Sequence, residues 1–306
     1  MKYGFSLVVR GQDATRETFD AMAQKAEALG LDSLWASDHM VIPSHRVSRY
    51  PGRPDGEFPA GWLEGYWNQF TVLSYLAGKT NFITLGTSVC ILPMHHPIEV
   101  AAKVAQLDQL LNGRFVFGAG AGWFREEFEV LNSPFQERGA RTTEGLQIMK
   151  ALWTQEPASF RGRFHRFDQV HFGPKPASRP HTPIWVGGHT PGAFRRVAMV
   201  GDGWHPFRLS PAEVQKGLGE LRKHMKEAGR SMDEITVSVK LHMAFQERPA
   251  GAERVPAQGS PAEIADDIKR YQDLGLAHLI FDFAPETLAQ ALHTMERFTQ
   301  DVRGRV

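Results

Sequence analysis

Strand-like and helix-like segments alternate almost from end to end of this chain, and that alternation restricts the fold more than any other feature. Runs rich in β-branched and aromatic residues occur at 3–9, 32–37, 82–92, 114–120, 183–188, 201–207, 235–243 and 277–283. Between them, apolar residues recur at helical spacing. Phe19, Met22, Ala23, Ala26 and Leu29 mark one helix over 15–29, stopped at Gly30. Pro97 opens another, with Val100, Val104, Leu107 and Leu111 on one face and Gly113 beyond its end. A third covers 139–154 on Leu146, Met149 and Leu152. Thr190-Pro191 is a cap followed by a first-turn proline. Ser210 with Glu213 and Ser260 with Glu263 have the spacing of capping boxes. A last helix is expected near 285–300.

Helix, Leu-Gly-Leu, strand occurs twice, in EALGLDSLWAS and QDLGLAHLIFDF. Such alternation predicts a parallel sheet. Eight units of ~35–40 residues fit a (β/α)8 TIM barrel of class α/β better than an open doubly wound sheet, which stays the alternative. One barrel domain over 1–306 is expected. Two stretches fall outside the units. Residues 40–66 are rich in Pro, Gly and Arg, and 156–182 read as a hairpin-like insertion. Long insertions in compact folds are often functional.

Charge and cysteine content narrow the function. Net charge is +1 over 306 residues, so no strong field favours nucleic acid or an anionic membrane. The single cysteine, Cys90, rules out an intrachain disulfide and a cysteine-based zinc site. No apolar run approaches ~18 residues, and the first residues lack a long apolar signal core. A cytoplasmic protein is expected.

In a barrel, the reactive end lies where strands finish at their C-terminal ends. Asp38 and His39 end the second strand. A histidine there can move protons near neutral pH, and the adjacent acid can orient it. Gly86, Thr87 and Ser88 are small residues inside a strand, the mark of a bulge or a close ligand approach. FGAGAGWFREEFE (117–129) is glycine-rich but is not a dinucleotide fingerprint, because Trp123 stands where a third glycine is needed. Gly120 and Gly122 leave room for a bulky ligand. Gly187 and Gly188 end the fifth strand, and with His189 and the Thr190-Pro191 helix start they form an expected anion site. Trp123, Trp62, Trp67 and Phe124 can line an apolar pocket or serve the core. His95 and His96 lack the His-x-His and His-Glu-x-x-His spacings, so no metal is expected there.

Taken in order, WASDH (35–39), LGTSVCILPMHHP (85–97), GRFVFGAGAGWFREEFEVLN (113–132), PIWVGGHTPGAFRRVAMVGDGW (183–204) and GSPAEIADDIKRYQDLGLAHL (259–279) resemble the bacterial luciferase-like flavin and deazaflavin oxidoreductases. The resemblance implies a (β/α)8 barrel, often a homodimer, acting on a small molecule. It implies that Thr87, Ser88 and Val89 back the coenzyme's central ring, often through a non-proline cis peptide. It places Asp38 and His39 at the ring's reacting edge, and Gly187, Gly188, His189 and Thr190 at its phosphate. The GAGAGWFREEFE form looks most like the branch that uses coenzyme F420, which implies hydride transfer. Arg46, Arg49, Arg53, Arg195 and Arg196 are candidates for that coenzyme's acidic tail. The alternative is a two-component monooxygenase that takes reduced FMN from a partner reductase and uses oxygen. The sequence departs from the sugar-phosphate dehydrogenases of the deazaflavin branch, where an acid follows the glycine run. Trp123 occupies that position here.

Overall fold

The computed structural model describes residues 1–53, 55–58, 61–251, 254–283 and 287–306. Eight parallel strands close into a barrel: β1 (Lys2–Ser6), β2 (Ser33–Ala36), β3 (Thr84–Thr87), β4 (Phe115–Gly120), β5 (Ile184–Gly187), β6 (Gly203–His205), β7 (Thr236–His242) and β8 (His278–Asp282). Each pairs with the next, β8 returns to β1, and the β3–β4 seam completes the ring. The open-sheet alternative is thereby excluded.

Nine helices among the described residues surround the strands: α1 (Arg16–Ala28), α2 (Gln69–Ala77), α3 (Pro97–Leu110), α4 (Arg125–Val130), α5 (Arg138–Thr154), α6 (Pro191–Val200), α7 (Pro211–Glu227), α8 (Pro261–Asp273) and α9 (Leu288–Arg297). Local chemistry fixes their starts. The Thr15 side chain accepts the Thr18 N–H, and Asn68 caps α2. Full capping boxes form at Ser210/Glu213 and Ser260/Glu263. Sequence reading misses α2 and α4. The expected start of the last helix, at 285 and 286, lies outside the described residues. In the second insertion, Ala158–Arg161 and Arg166–Val170 pair antiparallel. The first insertion carries one short 3-10 turn, Trp62–Glu64, and its residues 54, 59 and 60 are outside the described set.

The third strand is not continuous over 82–92. Gly86 pairs with Val116 and Cys90 with Ala119, so four steps on one strand match three on the other. One extra residue is absorbed at Ser88-Val89, as in a bulge.

A polar cross-brace runs through the barrel interior. The indoles of Trp35 and Trp185 stack at 5.2 Å, and the His205 ring lies on Trp35 at 5.7 Å. The Trp35 indole N–H donates to Ser33 Oγ, which also bonds His278 Nε2 at 2.8 Å. Gly86 makes room for this stack, since a Cβ there would sit 2.4 Å from Trp35. Its smallness therefore serves core packing, not ligand approach.

Candidate active site

All eight strands run the same way, so their C-terminal ends share one mouth. Asp38 and His39 follow β2 into it, with only 2% and 6% of their surface exposed. Successive side chains on an extended segment point to opposite sides, and these two separate accordingly. Asp38 Oδ2 accepts the Ile91 N–H at 2.9 Å and pairs with His95 Nε2 at 2.7 Å. Burial raises its pKa, but these bonds outweigh burial and hold it below the usual carboxylate value. His39 turns the other way, toward α4, where Nδ1 meets Glu127 Oε2 at 2.6 Å. The expectation that Asp38 orients His39 is corrected: Glu127 does so, and Asp38 holds His95.

Glu127 is fully buried and does a second job. Its Oε1 accepts the N–H groups of Met40 at 2.7 Å and Val41 at 3.3 Å. With Oε1 taken by backbone N–H groups, Oε2 is the oxygen that pairs with Nδ1. Nε2 is left without a hydrogen-bond partner among the described residues. Aromatic rings surround the imidazole, with centroids at 4.7 Å for Trp62, 5.2 Å for Tyr66, 6.2 Å for Trp123 and 6.3 Å for Phe124.

The Ser88-Val89 peptide bond, just beyond β3 and next to the end of β2, is cis. The Ser88 N–H donates to the Ala36 carbonyl at 2.7 Å, and Ser88 Oγ bonds His205 Nε2 at 2.8 Å. His205 Nδ1 in turn bonds Ser238 Oγ at 2.8 Å. Thr87 Oγ1 donates to the Gly118 carbonyl at 2.7 Å. The Val89 side chain sits in a cradle of glycines. A Cβ on Gly120 would lie 2.6 Å from it, and one on Gly187 3.2 Å. Gly122, in the left-handed region at φ +81°, packs against Ile91 and Phe128. The glycine run thus admits Val89 and Phe128, where sequence reading expected room for a ligand. Gly118→Ala would put a Cβ 2.0 Å from the Thr87 carbonyl oxygen. We predict a loss of about 1–3 kcal/mol of stability, read as a lower urea midpoint. An unchanged midpoint contradicts this packing.

At the end of β5, Gly188 takes φ +98° and Thr190 caps α6 by accepting the Ala193 N–H. His189 and Thr190 are exposed. Two expected members lie elsewhere. Trp67 is 42% exposed and meets Phe19 edge-on at 5.3 Å, away from the His39 wall. Arg196 is buried and ties α6 to α5 through the Gly139 carbonyl and Thr143 Oγ1, so it is not free for an acidic tail. Arg46 lies over Phe58 at 4.5 Å, and Arg53 pairs with Asp55. His96 meets His165, apart from His95. Asp38, Cys90 and His95 bring potential ligand atoms within 4.8 Å. Burial, with Asp38, pushes the Cys90 thiol far up, which keeps it protonated.

The profile described as luciferase-like monooxygenase matches residues 1–258. The chain belongs to the luciferase-like monooxygenase family. An uncharacterized protein of Mycobacterium tuberculosis is 28% identical over 295 residues, covering 93% of this chain and 94% of its own. An F420-dependent glucose-6-phosphate dehydrogenase of Nakamurella multipartita is 28% identical over 304 residues, covering 85% and 84%. Among solved structures, the monooxygenase RslO1 of Streptomyces bottropensis superimposes with a TM-score of 0.79 at 22% identity, covering 98% of both chains. This last likeness bears on the luciferase-like barrel alone. No helix among the described residues is long and apolar enough to cross a membrane.

Glu127, Lys240, Arg10 and Arg208 are mouth residues that sequence reading does not assign. Lys240 carried a signal, a lone cation inside the apolar strand VSVKLHM. Glu127 carried none, because FREEFE offers three acids and only the fold selects one.

Proposed function

We propose that the chain transfers a hydride between coenzyme F420 and a small organic substrate at the barrel mouth. The observation that carries this reading is the buried His39–Glu127 pair, with Nε2 free in an aromatic wall after β2, and the cis Ser88-Val89 bond after the adjacent β3. Ser6 Oγ and Trp62 Nε1 are buried polar atoms without partners at that end of the barrel. Such atoms suit a flat ring with polar edges. The F420-dependent relative supports the choice of coenzyme.

When bound, the deazaflavin ring supplies the hydride chemistry. The chain's own residues do the rest. Thr87, Ser88 and Val89 would hold the face of the ring. His39 Nε2 would accept the proton of the substrate oxygen, or return it. Glu127 fixes the tautomer and orientation that this requires. Gly187, Gly188, His189 and Thr190 offer backbone N–H groups and the α6 N-terminus to a phosphate. Trp123, with Trp62 and Phe124, excludes water and lines the substrate side.

A reduced-FMN monooxygenase is the second reading, favoured by the family description and by RslO1. Oxygen consumption separates the two. With reduced FMN and a flavin reductase, the F420 reading predicts no enzyme-dependent uptake above the reductase alone. It predicts anaerobic bleaching of F420 with an alcohol panel. Enzyme-dependent oxygen uptake without F420 turnover would overturn it.

A further inference from the structure

Next to the aromatic wall, the mouth gathers cations that share a single carboxylate. Arg10 follows β1 and bridges to Tyr66 through its backbone. Its guanidinium lies over the Trp62 ring at 5.5 Å. Lys240 projects from β7, only 8% exposed, and its Nζ reaches the Ser88 carbonyl at 3.4 Å. Arg208 follows β6, where its N–H is tied to the Lys240 carbonyl at 2.8 Å. His242, at the end of β7, completes the set.

Among the described residues, Asp282 is the one carboxylate that acts on all three of Arg10, Lys240 and Arg208. It is already engaged, with Oδ1 2.9 Å from His242 Nδ1 and a loose 3.7 Å from Arg208. Arg208 Nε is buried with no partner. Its backbone stands at φ +54°, a region that a non-glycine residue rarely occupies, and such departures gather at functional sites. Burial holds the Lys240 ammonium down to about 8, with Arg10 and Arg208 pushing the same way and Asp282 opposing. Burial disfavours the Arg10 charge, but Tyr66, Tyr50 and Asp282 outweigh it, whereas Lys240 has only the engaged Asp282 to oppose its burial, and an added anion would answer that shortfall.

We propose that Arg10, Lys240 and Arg208 form a binding site for an anionic group of the substrate, a carboxylate or a phosphate. The site adjoins Ser88 through Lys240 and the His39 wall through Arg10 and Trp62. An anion held there would direct the rest of a small substrate toward His39 Nε2. A charge-assisted, forked contact from Arg208 suits a carboxylate or phosphate oxygen pair. The substrate class thus narrows to small acids or phosphate esters that carry a separate reducible or oxidisable carbon. This step rests on the hydride-transfer reading for its place in catalysis. The anion site itself does not.

The test is calorimetric titration of the full chain with malonate at fixed ionic strength, with and without saturating F420. We expect saturable binding in both states. It should weaken at least tenfold in Arg208→Gln and in Lys240→Met, and stay unchanged in Arg222→Gln, which alters an exposed arginine on α7. F420 affinity should stay within about threefold in all variants. Absence of malonate binding to the unaltered protein would overturn the proposal, whatever F420 does. So would loss of F420 binding in the Arg208 and Lys240 variants, or displacement of malonate by F420, since the cations would then serve the coenzyme. If F420 binds nowhere, the hydride-transfer reading fails and the coenzyme-free titration alone decides the anion site. If Lys240→Met does not fold, Arg208→Gln, at a partly exposed side chain, decides it.

Discussion

His39→Ala lowers turnover by about 10²- to 10⁴-fold at saturating coenzyme, the range for losing a positioned acid–base group. The expectation rests on one geometry. Nδ1 is fixed by Glu127 at 2.6 Å, which leaves Nε2 as the proton-exchanging atom within the aromatic wall. Coenzyme affinity should change little, because the proposed ring surface and phosphate turn come from β3 and β5. Glu127→Gln is the companion. An amide has one carbonyl oxygen, and it cannot accept from Nδ1 and from both the Met40 and Val41 N–H groups as the carboxylate does. Turnover should fall by less than in His39→Ala, with the double variant no worse than His39→Ala alone. Independent, multiplying losses would show that Glu127 acts by another route. Asp38→Asn should fall short of both, since its partners are His95 and Ile91. Turnover unchanged in His39→Ala would remove the histidine from the chemistry.

Mild acid destabilises the fold before its carboxylates protonate. His205 and His278 are buried in the barrel, and burial holds each down to about 3. Lys240 and His278 add to the effect at His205, and Lys2 with the terminal amine at His278. Both are neutral when folded, and both take up a proton near pH 6.5 when unfolded. A depressed base stabilises the fold above its unfolded pKa, and that stability is lost as pH falls toward the folded value. Each contributes about 1 kcal/mol per pH unit, so the pair removes roughly 4 kcal/mol between pH 7 and 5. Urea midpoints at the two values check this. His278→Gln should flatten the dependence by about half. A midpoint equal at pH 7 and 5 would show that the interior histidines titrate normally.

Periodic signals made the barrel legible. Strand-helix alternation, capping boxes and glycine stops are local, and tertiary packing only trimmed their ends. The helix α2 was hidden because Gln69–Ala77 is apolar on more than one face and directly follows an irregular insertion. Of the candidate site, what depends on chain position could be read, and what depends on pairing across the mouth could not. Asp38-His39 at the end of β2 is a matter of position. The partners Glu127 and His95 come from other units, and Asp38 looked like the orienting acid only because it is adjacent in sequence. The glycines misled for a related reason. A missing Cβ signals close approach without naming the neighbour, which here is Val89 or Trp35. Arg10 lies far from Arg208 and Lys240 in sequence, and only barrel closure, through the β1–β8 and β8–β7 pairings, brings the ends of β1, β7 and β6 together.

A fluorescence titration of the purified protein with coenzyme F420, FMN and reduced FMN tests the central claim most directly. The account predicts saturable, selective binding of F420, and binding that survives in His39→Ala. Selective binding of reduced FMN would move the chain to the oxygen-using monooxygenases. Binding of none of the three by folded protein would contradict the assignment of the barrel mouth as a coenzyme site.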